Sequence, residues 1–412
     1  MSEPGSVILP QAGPPVPLFS PRQAPRLAVQ GWLASRLVLL VVLLVMVWLN
    51  DWTLAEALHR WDVNHFVTVA DHGYTELTET AFFPGLPLVM AFFSLFGIAP
   101  VASGVLISLV GSGMAAWGLY RLANGGVRGT VAVLAWSFAP MAVFTFVPYT
   151  ESAFCALAFW AFVYAKRDRW GIASALTAAA CLFRVSGLFL IGALGLVALF
   201  GAVAGRESGD FGHETPDSRP ASEKATRTRT RTPWVRRLVR VAWLGIPTAV
   251  LAAYVVYLRI VFGSWTAWFS AQVQGWGRSF GWPWDAFAET LHVADIVGNY
   301  GYSTYMMFRW EVAAFLIGIA VAAICFIRKQ IPEGGWVLVQ VLALSSQVWL
   351  ISVARSMLLW FPVFTLIGDI GGGEVSPRKN LARRIGLSAL LLFDFIAMIW
   401  WAVRFFEGAW AG

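Results

Sequence analysis

The chain has 412 residues, 58% of them hydrophobic and only 13% charged, against about 25% charged in an ordinary soluble domain. That balance excludes a disordered chain and a single soluble core, which could not hide so much apolar surface. The formal charge of +7 sits in short clusters between apolar runs, as membrane topology signals do, and so argues against a nucleic-acid partner.

Residues 1–30 are polar and Pro-rich and are expected to form a disordered cytoplasmic N-terminus. The first apolar run, Leu33 to Leu49, is long for the hydrophobic region of a signal peptide and lacks a small-x-small cleavage pattern, so it reads as a retained anchor. Ten further apolar segments follow, at 101–120, 129–147, 152–165, 170–183, 187–204, 239–262, 312–327, 335–351, 356–370 and 385–403. The stretch 170–204 is broken only by Arg184, Ser186 and Gly187, which makes two short crossings. The run Phe82 to Phe96 is read as lying on the membrane surface. Pro84 and Pro87 suit a short element there. That placement also gathers Arg22, Arg26, Arg121, Arg128, Lys166, Arg167, Arg169, Arg328, Lys329, Arg378, Lys379, Arg383 and Arg384 on the cytoplasmic side, with the Lys224–Arg240 cluster.

The expected fold is an all-α integral membrane protein of about eleven transmembrane helices, N-terminus inside and C-terminus outside. Short surface helices occupy its first extracytoplasmic loop. Residues 31–205 form an N-terminal transmembrane module with an outer loop at 50–100, and 206–237 a flexible cytoplasmic loop. Residues 238–405 form a C-terminal module with a second outer loop at 263–310. The expected location is the cell (plasma) membrane, with the chemistry on the extracytoplasmic face. Cys155, Cys181 and Cys325 have no metal or redox spacing, and no Walker loop or internal repeat supports an ATP-driven pump.

The first outer loop places Asp62, His65, Val69 and His72 at a 3-4-3 spacing, on one face of a helix that Gly73 can stop. A carboxylate at the membrane surface can take a proton from an acceptor hydroxyl. Asp62 also has a structural reading, as the N-cap of that helix with Trp61 and Phe66 as hydrophobic staple. The histidines read as surface or capping residues. No His-Glu-x-x-His or Asp-x-Asp pattern assigns a metal, so a divalent ion is left open without a motif and no cofactor is assigned.

Arg60-Trp61-Asp62, His65, Gly73-Tyr74 and Ala81-Phe82-Phe83-Pro84 are followed in order by three further motifs. These are Pro148-Tyr149-Thr150-Glu151-Ser152, Arg184-Val185-Ser186-Gly187, and Ala354-Arg355 before Phe361-Pro362. Together they resemble the GPI mannosyltransferase 2 (PIG-V) family over about residues 35–370. The resemblance implies the GT-C class of membrane glycosyltransferases, which take a sugar from a polyprenyl-phosphate carrier. An acidic residue in the first outer loop, followed by short helices on the membrane, is that class's pattern. Ser356 departs from it, standing where an aromatic residue often follows the arginine, and residues 206–237 and 371–412 fall outside the match.

On this reading Asp62 is the base of an inverting transfer, most simply of mannose, from polyprenyl-phosphate mannose to a glycolipid or surface acceptor. Arg184, Arg278 and Arg355 are candidates for the departing phosphate, because guanidinium offers a charged fork of donors; each also reads as an interfacial arginine. Arg60 and Arg309 are further candidates. Glu151 either orients the acceptor or shares a proton with Asp62, or it complements a helix dipole behind a Thr150 cap. His65 is placed with the substrate-binding residues. Of the second-loop tryptophans Trp265, Trp268, Trp276, Trp282 and Trp284, Trp276 is assigned to substrate, with Arg278. Membrane lipid is an expected partner, and an accessory subunit is left open. The competing class is a transporter or lipid flippase, which Asp394 in the last apolar run favours.

Overall fold

The structure is a computed structural model that describes residue 18, residue 20 and residues 22–200, 233–297, 302–372 and 377–411. Among these residues there is no strand. Five helices are long and apolar enough to cross a bilayer: Ala24–Leu49, Pro100–Leu122, Trp234–Phe262, Thr304–Ile327 and Asn380–Phe406. A sixth candidate is the pair Val353–Leu359 and Phe361–Gly372, bent by 64°. The chain is therefore a multi-pass all-α membrane protein. The first helix shows the physical pattern. Leu33, Leu37, Leu40 and Leu44 are exposed, whereas Ser35, Arg36, Leu39 and Leu43 face the protein. Lipid tails are as apolar as leucine, so small and polar groups collect inside the bundle.

Each of the eleven expected segments carries a helix, but several are shorter than a bilayer requires. Glu151–Lys166, Trp170–Cys181, Ser186–Phe200 and Ile331–Ser345 have 16, 12, 15 and 15 residues. The first helix starts at Ala24, so residues 24–30 of the expected N-terminal segment are helical. The expected flexible loop lies outside the described residues up to 232, and its end belongs to the helix Pro233–Trp243.

The largest departure is at 129–147. The helix there ends at Ser137, and residues 141–150 run buried through a 3-10 turn, Ala142–Thr145. Irregular backbone at membrane depth survives only when other groups satisfy it. Arg36, in the first spanning helix, donates to the Thr145 carbonyl at 2.8 Å and the Thr145 hydroxyl at 2.7 Å. Ser108 donates to the Val147 carbonyl at 2.6 Å, and Ser152 to that of Thr145 at 3.0 Å. This buried segment delivers Tyr149, Thr150 and Glu151 to the start of the next helix.

The bend before Phe361 is held in the same way. Trp136 donates its indole N–H to the Leu358 carbonyl and Trp336 to that of Leu359, both at 3.0 Å. Pro362 lacks the N–H needed to carry one helix straight through.

The first loop is built from Leu54–Leu58, Asp62–His72, a 3-10 turn Leu77–Ala81 and Gly85–Ser94. The last of these has ten residues, about 15 Å at 1.5 Å per residue, half of a hydrocarbon core of about 30 Å. The loop is tied to the bundle. The Gly85 amide meets the Leu182 carbonyl at 2.6 Å, and the Tyr254 hydroxyl meets that of Thr80 at 2.9 Å. From the second loop, the helix Ala267–Trp276 lies against the 3-10 turn, with the Thr80 hydroxyl facing the Ala267 carbonyl at 3.4 Å.

Candidate active site

Asp62 opens its helix but does not cap it. The N-cap position is Trp61, with φ +53°, and no side chain caps the helix. Such backbone in a non-glycine residue costs of order 1–3 kcal/mol and is a common feature of functional turns. The staple is also absent, since Trp61 is exposed while Phe66 packs edge-on to Phe82 and Tyr149. Gly73 ends the helix as expected, at φ +73°. The Asp62 carboxylate is thus free for other work, and its backbone N–H donates to the Tyr149 hydroxyl at 3.3 Å.

Arg355 links the two carboxylates of the site. Its Nη1 donates to Asp62 Oδ2 at 3.2 Å, and its Nε lies 3.2 Å from Glu151 Oε1 without a directed hydrogen bond. The guanidinium sits over the rings of Phe144 and Tyr149, 5.3 and 5.6 Å from their centroids. Arg184 reaches the same carboxylate from the break between two short helices, with its Nη1 2.6 Å from Glu151 Oε1 and 2.9 Å from Thr150 Oγ1. Thr150 occupies the N-cap position but makes no side-chain cap; its hydroxyl serves Arg184 instead. Glu151 is fully buried and its Oε2 has no hydrogen-bond partner, whereas the Asp62 side chain is 24% exposed. Arg278 adds a third guanidinium, half-buried, with its Nη1 on Gln272 Oε1 at 3.1 Å. Burial, and next the charge of Arg355, lower its pKa to about 10, which leaves it cationic at neutral pH.

Beside this network stands an aromatic wall. His65 stacks on Phe82 with centroids 4.6 Å apart, and Trp276 closes on His65 at 6.1 Å and on Phe82 at 5.4 Å. Among the described residues no three His, Cys, Asp or Glu side chains gather as a metal ion would require.

No family model matches the chain. Over 151 residues it is 32% identical to the GPI alpha-1,6-mannosyltransferase 2 of Mus musculus and to that of Rattus norvegicus, and 31% identical to that of Homo sapiens. Over this stretch the chain is similar to PIG-V mannosyltransferases. Each alignment takes in 33% of this chain and 31% of the relative, so the similarity spans about a third of the curated proteins.

The residues singled out from sequence fall into two adjoining groups: Asp62, Glu151, Arg184, Arg278 and Arg355 in the charged network, His65 and Trp276 in the wall. The two reserve arginines are engaged elsewhere. Arg60 lies over Trp52 at 4.8 Å, and Arg309 pairs with Asp295 at 2.9 Å.

Sequence reasoning missed two residues. Tyr149 lay within a quoted motif without a role. Glu311 stands one residue before an expected span, and it is fully buried. Its carboxylate accepts the N–H groups of Ser352 at 3.0 Å and Ala354 at 2.9 Å, which orders the turn Val353–Ser356 that carries Arg355. Ser352 itself is left-handed, at φ +60°. An acidic residue next to an apolar run is the signal that would have found Glu311.

Proposed function

We propose that the chain is a membrane mannosyltransferase of the GT-C class. It transfers mannose from a polyprenyl-phosphate donor to a hydroxyl of a lipid-linked or surface acceptor on the extracytoplasmic face of the plasma membrane. The observation that carries this reading is the joining of Asp62, the more accessible carboxylate, to a set of arginines through Arg355. A transfer of this kind needs a base for the hydroxyl and cations for the phosphate, held a few ångströms apart.

In this mechanism the Asp62 carboxylate takes the proton of the acceptor hydroxyl as its oxygen attacks the anomeric carbon. The new C–O bond forms as the bond to the donor phosphate breaks, and in-line attack inverts the configuration. The departing phosphate carries the electron pair, and Arg355, Arg184 and Arg278 stabilise its charge. Glu151 is too enclosed to serve as the base; it fixes the two arginines that share its Oε1. His65, Phe82 and Trp276 offer flat apolar faces to a sugar ring. The excess of basic groups at the far helix ends supports an outward-facing site under the positive-inside rule.

The test uses the full chain purified in lipid with labelled polyprenyl-phosphate mannose. Wild type is expected to release label slowly into water, or into an added acceptor. Asp62→Asn should lower that rate by about 10²–10⁴, the usual contribution of a general base, while still binding donor. A variant with near wild-type turnover removes Asp62 from the role.

A further inference from the structure

The far end of the molecule holds a second charged cavity. The helix Glu151–Lys166 is 16 residues long, about 24 Å at 1.5 Å per residue, and Glu151 lies at its other end. Just beyond Lys166, the turn 167–169 and the helix Trp170–Cys181 meet the helix Pro233–Trp243 around a cavity of about 470 Å³. Its lining includes Asp168, Arg169, Trp170, Arg236, Arg240 and Trp243.

Three arginines and one carboxylate therefore line the cavity, and that carboxylate is already engaged, while the Arg169 guanidinium lies over the Tyr164 ring, 5.6 Å from its centroid. Asp168 Oδ1 accepts from Arg240 Nε at 2.8 Å and from the Trp170 indole at 2.9 Å. Arg240 is buried and fixed by this pair, while Arg169 and Arg236 are exposed at the mouth. The helix Pro233–Trp243 is strongly two-sided, with Trp234, Leu238 and Val241 exposed on its apolar side. It leads directly into the apolar stretch that ends at Phe262, so the cavity opens at the height where a spanning helix leaves the hydrocarbon. Tryptophan is enriched at that level, and basic pockets between helices there take anionic headgroups.

We propose that this cavity binds the phosphate of an anionic phospholipid headgroup, with Arg169 and Arg236 as the ligating side chains and Arg240 neutralising Asp168 beside them. Arginine matches phosphate with its planar fork, and the indoles of Trp170 and Trp243 border the glycerol and upper acyl region. The site is separate from the carboxylate–arginine network and does not depend on the transfer reaction.

The experiment is a titration of the full-length protein, purified in detergent, with phosphatidylglycerol and with phosphatidylcholine of the same acyl chains, read by native mass spectrometry. Phosphatidylglycerol is expected to bind preferentially. Arg169→Gln and Arg236→Gln should each weaken it about fivefold, with phosphatidylcholine unchanged. Both side chains are exposed, so the variants should fold; Arg169→Lys and Arg236→Lys serve as charge-keeping controls and should hold the lipid. Equal binding of the two lipids, or unchanged phosphatidylglycerol binding in both glutamine variants, overturns the proposal. Displacement of phosphatidylglycerol by millimolar inorganic phosphate would also overturn it, assigning the cavity to a free anion.

Discussion

The helix Glu151–Lys166 carries an ion pair of the same length at each end. Arg184 Nη1 meets Glu151 Oε1 at 2.6 Å, and Lys166 Nζ meets Glu333 Oε1 at 2.6 Å. Distance does not distinguish them, but burial does. Glu151 is fully enclosed and Arg184 is 17% exposed, whereas Lys166 is 42% exposed. In the enclosed pair, losing one partner strands a charge away from water; in the open one, water replaces the partner at little cost. The two ends of this helix thus carry pairs of equal length and unequal enclosure, since both partners are shielded at the Glu151 end and only the carboxylate at the Lys166 end.

Removing Arg355 is the sharpest way to break the comparison. Arg355→Ala leaves Glu151 with Arg184 alone and Asp62 with no guanidinium in contact. The expected loss is about 3–5 kcal/mol of stability, as for other buried pairs deprived of one partner, together with weakened donor binding. Thermal inactivation and a donor-binding titration read the two effects separately. A variant with wild-type stability and full donor affinity would place the enclosed network on the same footing as the open pair.

Glu311→Gln probes the support beneath that network. The amide keeps the shape and one accepting oxygen, but Ser352 N–H and Ala354 N–H are bound by different oxygens, Oε1 and Oε2, so one amide hydrogen is stranded against a donor. The expected cost is about 1–3 kcal/mol. Because the turn carries Arg355, donor affinity should fall with the stability. A purely structural Glu311 would lower stability and leave donor affinity unchanged.

These residues also mark what was legible in sequence. Glu151, Arg184 and Arg355 were readable because each is an ionisable group beside an apolar run, and Asp62 because it shares a 3-4-3 spacing with His65, Val69 and His72. The helical character of every long apolar segment was readable for the same reason. The break after Ser137 went unread because the apolar run continues through it, although Pro140 marks it. Pro140 stops the helix from continuing, and the irregular backbone beyond it is held because Arg36 and Ser108, distant in sequence, capture the Thr145 and Val147 carbonyls. Glu311 also stands beside an apolar run, but its role was not legible because its partners are backbone N–H groups some 40 residues away. The cap readings of Asp62 and Thr150 came from local spacing, yet their side chains are claimed by Arg355 in the turn Val353–Ser356 and by Arg184 in the break between two short helices.

The smallest effect is expected at the open end. Lys166→Gln removes the cation from the Glu333 pair, where the lysine side chain is 42% exposed and the glutamate 12% exposed. Water can approach the stranded carboxylate from the lysine's side, so the loss should stay within about 1 kcal/mol, as for exposed pairs generally. Glu333 also stands in the first turn of the helix Ile331–Ser345, where the positive end of the helix dipole favours a carboxylate whether or not a lysine is present. Raising the ionic strength should weaken the wild-type pair and leave the variant unchanged, because only the pair is open to screening. The transfer proposed above should be unaffected, since about 24 Å of helix separates this pair from Glu151. A loss as large as that of Arg355→Ala would mean that the open end is as enclosed in the membrane as the carboxylate–arginine network, and that burial rather than position along the helix had been misjudged.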